Sequence, residues 1–451
     1  MMRQSWMRTT LIAAACAAMG MSATSASAIG LIQAYEAALK NDPQYQSAVF
    51  ENQAGQEYRK LGRSGLLPSV QYSYSTSKNK AAQTAPNFLG QLTTSYPEYT
   101  SINNAVSLRQ TLFSLDATAR YKQGIAQTKY SDAQFSGRAQ DLMVRVLSAY
   151  ADAKYAEDQL ALYTAQRDSY REQKHLNARL FEKGEGTRTD MLETEAKLDV
   201  AEAQVIESTD NLAAARNTLA AMIGMEVNNL DSLGSEFKVM PFSPSTLSEW
   251  RLIASDQNAE IAAARLAIEA SEQEINKNRA GHTPRLDLNA SYSRSIADTL
   301  TNYNQDSTVR SIGVQLVIPI YSGGYVSAST SQAVANRDKA RSDLEATTNK
   351  VMIELQRQFN TTQSSMAKID ALQKSVNSAT LLVQATKQSV KGGVRINLDV
   401  LNAEQQLVAS KRDLAQARYN YLISLIKLRV AAGNLSIDDL RSVAAYFSSS
   451  N

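Results

Sequence analysis

The sequence predicts a mainly α-helical protein with a small β part, in which a unit of helix, β-hairpin, long helix and helix occurs twice. Three observations support this fold class. Long stretches without proline, rich in Ala, Gln, Leu, Lys and Glu, indicate helices. Short segments in which apolar and polar residues alternate indicate strands. Glycine and proline landmarks recur in the same order about 210 residues further along the chain, which indicates an internal repeat.

The first 28 residues are predicted to be a cleaved signal peptide. Arg3 and Arg8 precede a short apolar stretch, and residues 26–28 have the small-x-small pattern of a cleavage site. The alternative is a lipoprotein that is acylated on Cys16. Both interpretations predict that the chain leaves the cytoplasm.

The first repeat is predicted over residues 29–226. It opens with a helix from Leu31 to Arg63, in a stretch of helix-favouring residues. Its later elements are two strands at about 66–78 and 102–113, a long helix at 115–183, a turn at 184–188 and a helix at 189–223.

The second repeat is predicted over residues 247–433, after a joining segment at 227–246. Its Gly393 corresponds to Gly184 of the first repeat. Chance similarity between low-complexity helices is the alternative to a true repeat. The Ser-rich tail at 434–451 is expected either to pack against the rest of the chain or to stay loose. The elements of the second repeat are a first helix, strands at about 284–296 and 309–320, a long helix at 324–391, a turn at 392–397 and a helix at 398–432.

The long helices carry the pattern of a coiled coil. Along the last helix, large apolar residues recur every seven positions and small residues recur beside them, so the two stripes can pack as knobs into holes. The helix at 324–391 would extend ~100 Å, which no compact globule accommodates. An isolated antiparallel coiled coil is the alternative to a tube of helices. The large stripe is Val400, Leu407, Leu414, Tyr421 and Leu428, and the small one is Ala403, Ser410, Ala417, Ser424 and Ala431.

The strands alternate with a period of two, as Val70, Tyr72 and Tyr74 do with their polar neighbours. This pattern is typical both of membrane-spanning strands and of a soluble sheet that is wetted on one face. In lipid, four strands are too few to close, and an open edge leaves backbone groups unpaired. Three chains would supply twelve strands. The sequence therefore predicts a homotrimer with one shared 12-stranded membrane β-barrel that is continuous with a tube of twelve helices.

The composition argues against several classes of function. Among 451 residues there are 2 histidines and 1 cysteine, too few for most metal sites or for a disulfide. Lys and Arg (47) nearly balance Asp and Glu (44), whereas nucleic-acid-binding proteins usually carry a basic excess. No nucleophile and base occur at a spacing typical of an enzyme. We therefore expect no catalytic residues, no cofactor, no metal and no nucleic-acid partner.

Several segments resemble the TolC family of outer-membrane channels, and together they extend over essentially the whole chain beyond the first 28 residues. The resemblance implies a homotrimer that works as an export duct, with its 12-stranded β-barrel in outer-membrane lipid and its 12-helix α-barrel in the periplasm. It also implies docking to a periplasmic adaptor (a membrane fusion protein) and to an inner-membrane ABC or RND transporter. The segments are Leu31-Ile32-Gln33-Ala34-Tyr35, Asn41-Asp42-Pro43, Leu66-Leu67-Pro68, Gly393 to Leu401, and Ala417-Arg418-Tyr419-Asn420-Tyr421-Leu422.

The resemblance implies a periplasmic gate at the closed end of the tube. Asp399 matches an acidic position of the family, and three copies on a symmetry axis would repel one another and attract cations. Asn402 stands where the family can have a second acid, so one carboxylate ring is expected instead of two. Arg395 matches a basic residue that tethers neighbouring helices, and Asp190 and Thr189 match its partners. The alternative is that Asp190 and Asp399 simply begin helices, where acids are favoured.

The resemblance also implies that the adaptor docks at the two helical turns, at Gly184 and Gly393. The glycines match the family, but most of the apolar residues that flank them in relatives are missing. For this reason the sequence slightly favours type I protein secretion over multidrug efflux as the function of the duct. The alternative functions are a periplasmic adaptor or a structural coiled-coil component of an envelope complex.

Overall fold

The computed structural model describes residues 28–234, 237–239, 243–297 and 305–448. The predicted signal peptide, including Cys16, lies outside these residues except for Ala28. None of the described helices combines the length and hydropathy that a membrane-spanning helix needs.

Nine helices and eight strands make up the described part of the chain. The helices are α1 Leu31–Asn41, α2 Pro43–Ser64, α3 Leu115–Glu182, α4 Arg188–Ile223, α5 Leu247–Gln257, α6 Ala259–Arg279, α7 Tyr325–Lys391, α8 Asn397–Ala432 and α9 Ile437–Ala444, and a 3-10 turn follows α6. The strands are β1 Ser69–Lys80, β2 Gln83–Pro86, β3 Leu92–Ser95, β4 Glu98–Phe113, β5 Ser232–Leu233, β6 Arg285–Ala297, β7 Gln305–Val317 and β8 Phe447–Ser448.

The first helix of each repeat is broken in two, which corrects the prediction of one helix from Leu31 to Arg63. Asp42 interrupts it because Pro43 has no N–H to donate and disfavours a helical residue before it. The Asp42 carboxylate then caps α2 by accepting hydrogen bonds from two backbone N–H groups, at 2.7 and 3.0 Å. Asn258 caps α6 in the same way after α5 ends.

Proline also adjusts the predicted strand ends. β1 begins after Pro68, later than the predicted start at 66, and β7 ends at Val317, before Pro319 and earlier than the predicted end at 320. A proline has no N–H to donate to a neighbouring strand, so a strand tends to begin after it or to end before it. The small hairpin of β2 and β3 was not predicted from the sequence, and its turn contains Gly90 with a φ of 78°.

Contacts divide the chain into two compact units. Unit 1 comprises the described residues up to Gln46, together with Ala139–Trp250 and the described residues from Leu355 onward. Unit 2 comprises Ser47–Arg138 and the described part of Arg251–Glu354. Each unit takes pieces of both predicted repeats, so the division into repeats stays a prediction about the sequence.

Unit 2 contains an antiparallel four-stranded sheet in the order β1-β4-β6-β7. Residues that pair directly across strands share a face, so the register places whole rows on each side. One row is entirely apolar and the next, on the opposite face, is entirely polar. The sheet therefore has the two-faced character that the alternation predicts. The apolar row is Val70, Leu108, Ala290 and Ile312, and the polar row is Gln71, Ser107, Ser291 and Ser311.

Unit 2 also holds a close approach of α2 to α3. A β-carbon on Gly62 would lie 2.6 Å from the carbonyl oxygen of Arg120, and one on Gly124 would collide with the carbonyl oxygen of Tyr58. The absence of side chains at these two glycines is what lets the two backbones meet.

Unit 1 is built around a buried apolar cluster to which α1, α3, α4, α8 and α9 contribute. The C-terminal tail contributes to this cluster. Of the two alternatives for the tail, packing against the rest of the chain is therefore the one that the structure shows. Ser436 and Asp439 form a capping box that starts α9, and Leu440 and Val443 are fully buried. Phe447 follows in β8, which pairs with β5.

Candidate functional site

The turn between α3 and α4 is a compact C-terminal motif centred on Gly184. Glu185 N–H donates to the carbonyl of Leu180 at 2.9 Å, and Gly184 N–H donates to Phe181 at 3.0 Å. These two bonds define the Schellman motif, which requires a left-handed residue after the helix. Gly184 supplies it with a φ of 76°. The turn therefore ends α3 next to the predicted boundary.

The turn between α7 and α8 repeats this motif. Gly393 has a φ of 72°, and its N–H donates to Val390 at 3.0 Å while Val394 N–H donates to Ser389 at 2.9 Å. A β-carbon on Gly393 would meet nothing within 4 Å. Val394 and Ile396 on the same turn are 81% and 61% exposed. An apolar pair therefore faces outward from this turn, within a single subunit.

Asp190, a predicted gate residue of the first hairpin, forms a helix cap together with Thr187. Thr187 Oγ1 donates to the Asp190 carboxylate at 2.6 Å, and Asp190 N–H donates back to Thr187 Oγ1 at 3.1 Å. The Asp190 carboxylate is therefore bonded within this capping box, as expected if Asp190 serves to begin a helix. Thr189 is exposed on the same turn.

The predicted gate residues of the second hairpin lie around the start of α8, with Arg395 in the turn before it and Asp399 and Asn402 in its first two turns. Asp399 is half-buried in the first turn, and its N–H donates to the carbonyl of Ile396 at 3.2 Å. Asn402 is exposed, and so is Arg395. Within the described part of this single chain, no carboxylate lies at ion-pair distance from Arg395. A tether between Arg395 and Asp190 across subunits stays a prediction.

Glu404 is a buried carboxylate that the sequence interpretation missed. It is 8% exposed, lies one turn beyond Asp399 on α8, and has partners on two other helices. Ser169 and Gln173 of α3 donate to its Oε2 at 2.9 and 3.3 Å. Lys387 of α7 pairs with its Oε1 at 2.6 Å. One carboxylate therefore joins α8 to both long helices.

Tyr170 of α3 makes a second polar contact with α8. Its hydroxyl donates to the carbonyl of Leu401 at 3.3 Å and accepts a hydrogen bond from Gln166 at 3.0 Å. Burial raises the pKa of Tyr170, and the nearby Glu404 charge raises it further. The phenol therefore stays protonated and available as a donor. Leu198 and Ala201 of α4 complete the buried surroundings of the ring.

A third polar contact lies closest to the two turns. Thr194 of α4 is fully buried, and its hydroxyl accepts hydrogen bonds from Asn177 of α3 at 2.8 Å and from Asn397 of α8 at 3.3 Å. It donates to the carbonyl of Asp190 at 2.7 Å. Both hairpins are thus bonded through one hydroxyl.

A sequence signal for these contacts exists on α3. Gln166, Tyr170, Gln173 and Asn177 follow one another at the four-three-four spacing of a coiled-coil seam, where apolar residues are the rule. A polar side chain at every seam position indicates a partner with matching hydrogen bonds. Glu404 follows Ala403 of the small-residue stripe of α8. In the sequence it therefore looks like any charged residue on the solvent-facing side of a helix.

Comparison with known proteins identifies the family. The family model described as "Outer membrane efflux protein" matches residues 34–225 and 252–434. The chain belongs to the outer membrane efflux protein family. The TolC proteins that it also matches belong with this family, so the predicted resemblance is confirmed.

Two relatives of this efflux-family chain are named for protein secretion. The alkaline protease secretion protein AprF of Pseudomonas aeruginosa is 42% identical over 93% of this chain and 88% of its own length. The proteases secretion protein PrtF of Dickeya chrysanthemi is 42% identical over 96% of this chain and 94% of its own. The outer membrane protein TolC of Vibrio cholerae is 28% identical over 95% of this chain and 96% of its own length.

Solved structures confirm the TolC-like fold. CusC matches with a TM-score of 0.77 at 18% identity, covering 90% of this chain and 93% of its own. The Campylobacter jejuni CmeC outer membrane channel matches with a TM-score of 0.76 at 18% identity, and the match covers 93% of this chain and 90% of CmeC. At 18% identity, these two matches support the fold and nothing about function.

Family membership and these relatives together establish an outer-membrane export channel with a periplasmic helical tube. The family consists of channels and export ducts. Its members form homotrimers and work with periplasmic adaptors and inner-membrane transporters as a general class of partner. The periplasmic adaptor that the sequence left as an alternative function has no support among these relatives.

Proposed function

We propose that this channel is the outer-membrane duct of a type I protein secretion system, with a secreted protease as its cargo class. The observation that supports this is the higher identity, over nearly the whole chain, to two relatives named for protease secretion than to the TolC proteins. The partners in this proposal are an inner-membrane ABC transporter and a periplasmic adaptor.

Complementation tests the cargo. The chain is expressed in a host that contains a protease-specific ABC transporter and adaptor but lacks the duct, and protease activity is measured in the medium and in the cells. We expect activity to move to the medium. The same cells are assayed for susceptibility to toxic small molecules. Restored resistance without protease export would contradict the proposal and support multidrug efflux.

We further propose that Asp399 gates the periplasmic end of the trimer. Its half-buried position in the first turn of α8 leaves the carboxylate free of side-chain partners among the described residues, so its charge is available to a ring of three. Asn402 adds no second charge. Arg395 has no partner within the described part of one chain, so its partner in this proposal is a carboxylate of a neighbouring subunit.

Single-channel recording in planar bilayers tests the gate. Asp399→Ala is expected to weaken block by Mg²⁺ about tenfold, because the variant removes the carboxylate ring that attracts the cation. Asn402→Ala is the matched control, one turn away and uncharged in both forms. Unchanged block in Asp399→Ala would exclude this residue as the gate. Unchanged closed-state leakage in Arg395→Ser would exclude the tether.

We propose the turns at Gly184 and Gly393 as the adaptor-docking sites. Their support is the same compact motif at both positions and the exposed Val394 and Ile396 beside the second. Replacing Val394 with Asp is expected to lower the yield of adaptor that is crosslinked to the channel in cell envelopes. Replacing Ile206 with Asp is the control, because Ile206 is 66% exposed on α4 and the change is the same apolar-to-acidic one, far from both turns. An undiminished yield in the Val394 variant would contradict docking at the second turn.

A further inference from the structure

We propose that Asp231 is the binding site for the α-ammonium group that cleavage of the predicted signal peptide creates at Ile29. The proposal goes beyond the export function and rests on the prediction that the chain is cleaved after Ala28. The site, which we call the N-terminal anchor, comprises Ile29 and Gly30 before α1, Tyr150 of α3, and Asp231 of the joining segment.

The residues before α1 are held against the joining segment by a short parallel bridge. Ile29 pairs with Leu230, and the Ile29 N–H donates to the carbonyl of Asn229 at 2.9 Å. The fully buried Tyr150 completes the bridge, because its hydroxyl donates to the carbonyl of Ile29 at 2.9 Å and accepts from the Asp231 N–H at 2.9 Å. One hydroxyl thus bonds both backbones and keeps Asp231 beside Ile29.

The Asp231 carboxylate lies against these first residues and lacks a partner. Its Oδ2 is 3.0 Å from the position that a β-carbon on Gly30 would occupy, so the carboxylate contacts the residue that follows Ile29. Its Oδ1 is buried and has no hydrogen-bond donor among the described residues. Burial raises the pKa of Asp231, and no cation of the described residues offsets the rise. A buried carboxylate is costly unless a cation or several donors meet it.

Cleavage changes the Ile29 nitrogen into a suitable partner for this carboxylate. While Ala28 is attached, the nitrogen is an amide whose single N–H is already donated to Asn229. After cleavage it is an ammonium group with a positive charge and three N–H groups. One N–H keeps the bond to Asn229, and the others are available to Asp231. A side chain on Gly30 would press against the carboxylate, so glycine leaves it room.

The N-terminal anchor therefore couples processing of the chain to its stability. The charge-assisted bond exists only in the mature chain and fixes the residues from which α1 begins. The other titratable group that contacts the site is the Tyr150 phenol, whose pKa is raised by burial and by the Asp231 charge, so it stays neutral. The carboxylate also lies near the start of α1, where the helix dipole favours a negative charge. The pKa of the α-amino group distinguishes these two roles, because only the anchor raises it.

Reductive methylation at a series of pH values tests the anchor. The labelled protein is digested with a glutamyl endopeptidase, and mass spectrometry quantifies the peptide of residues 29–36, in which the α-amino group is the only amine. A carboxylate in contact favours the charged amine, so the midpoint of labelling in the folded protein is expected about one pH unit above that of the same protein unfolded in urea. Equal midpoints would overturn the proposal, and so would a first residue other than Ile29.

A pair of variants separates the anchor from the helix dipole. Asp231→Asn removes the charge and keeps the shape of the side chain, so its labelling midpoint is expected to fall by about one pH unit. Asp210→Asn is the matched control, because it removes the same charge from an exposed position on α4 and should leave the midpoint unchanged. A wild-type midpoint in Asp231→Asn would overturn the proposal and leave Asp231 acting on the dipole of α1. If Asp231→Asn does not fold, the comparison of folded and unfolded wild type still decides.

The stability that the anchor contributes has a defined pH dependence. A raised pKa of the ammonium means that the contribution is fully present below the ordinary α-amino value of about 7.7–8.0 and is lost as the pH rises through the folded-state value. The urea midpoints of wild type and Asp231→Asn should therefore differ at pH 7 and converge above about pH 9. A difference that is constant over this range would overturn the proposal. None of these measurements involves cargo, so they decide the anchor even if the proposed protease export fails.

Discussion

Helices α3 and α8 meet in two places in unit 1, and the two contacts have opposite chemistry. In the first, Leu142, Val146 and Tyr150 of α3 share a buried apolar cluster with Leu422 and Ile426 of α8. In the second, Ser169 and Gln173 of α3 donate hydrogen bonds to Glu404 of α8. Apolar packing is lost when water enters, whereas hydrogen-bonded groups find new partners in water. One pair of helices therefore combines an apolar contact with a hydrogen-bonded one.

A buried charge cluster lies between these contacts along α3. Lys154 is 4% exposed and pairs with Glu157 at 2.7 Å, and Tyr419 of α8 donates to Asp158 at 2.6 Å. Burial raises the pKa of Asp158, although the Tyr419 hydrogen bond opposes the rise. The chemistry of the helix pair thus changes from apolar to charged to polar between Tyr150 and Gln166, over about four turns.

The largest effect is expected in the apolar contact. Leu422→Ala should lower the free energy of unfolding by about 3 kcal/mol, because it leaves a cavity at a fully buried position. Urea unfolding of the purified protein in detergent, followed by circular dichroism, measures the change. Leu422→Met keeps the volume and is the control, with an expected loss below about 1.5 kcal/mol. Equal losses in both variants would mean that packing is not what stabilises this contact.

A smaller loss is expected at the buried ion pair that anchors α1 and α2 to α3. Asp42 bonds Arg145 at 2.6 Å and caps α2, so Asp42→Ala should cost about 2 kcal/mol. Asp141→Ala is the control, since Asp141 also pairs with Arg145 but is about half exposed and should cost less than about 1 kcal/mol. If the two variants cost the same, burial is not what gives the Asp42 pair its strength.

The pH dependence of unfolding sharpens this comparison. Burial alone would raise the pKa of Asp42, but the hydrogen bond and charge of Arg145 outweigh it and hold the pKa below its ordinary value of 3.8. The stabilisation is therefore fully present above pH 3.8 and is lost as the pH falls below it through the folded-state pKa. Acid titration of stability should be shallower in Asp42→Ala than in the wild type, and identical slopes would contradict the assignment.

The smallest effect is expected at the turn that leads into α8. Gly393→Ala forces a left-handed φ of 72° on alanine and should cost about 1 kcal/mol. Gly392→Ala is the neighbouring control, since its β-carbon would meet ordinary contacts at 3.6 and 3.7 Å without a positive φ. Unfolding in urea compares the two. A cost in Gly392→Ala as large as in Gly393→Ala would show that space, not φ, limits this turn.

The sequence predicted the local features of the fold because their causes are local. The turns at Gly184 and Gly393 and the alternation of Val70, Tyr72 and Tyr74 depend on residues close together in the chain. The breaks at Asp42 and Asn258 are equally local, but a capping residue inside a helix-rich stretch gives no signal that the sequence analysis could separate from an ordinary polar helical position. The resemblance to the TolC family led to Asp399 and Arg395, whose roles remain proposals.

By itself, the sequence determined the order of helices and strands, the two faces of the sheet and the family, since periodicity, proline and glycine act over a few residues at a time. The tertiary structure alone decided that Glu404 is buried, that Thr194 joins the two hairpins and that the tail packs as α9. These depend on partners far apart in the chain, as Ser169 is from Glu404. Burial and hydrogen bonding are properties of such assembled neighbours, and no local pattern specifies which distant side chains will meet.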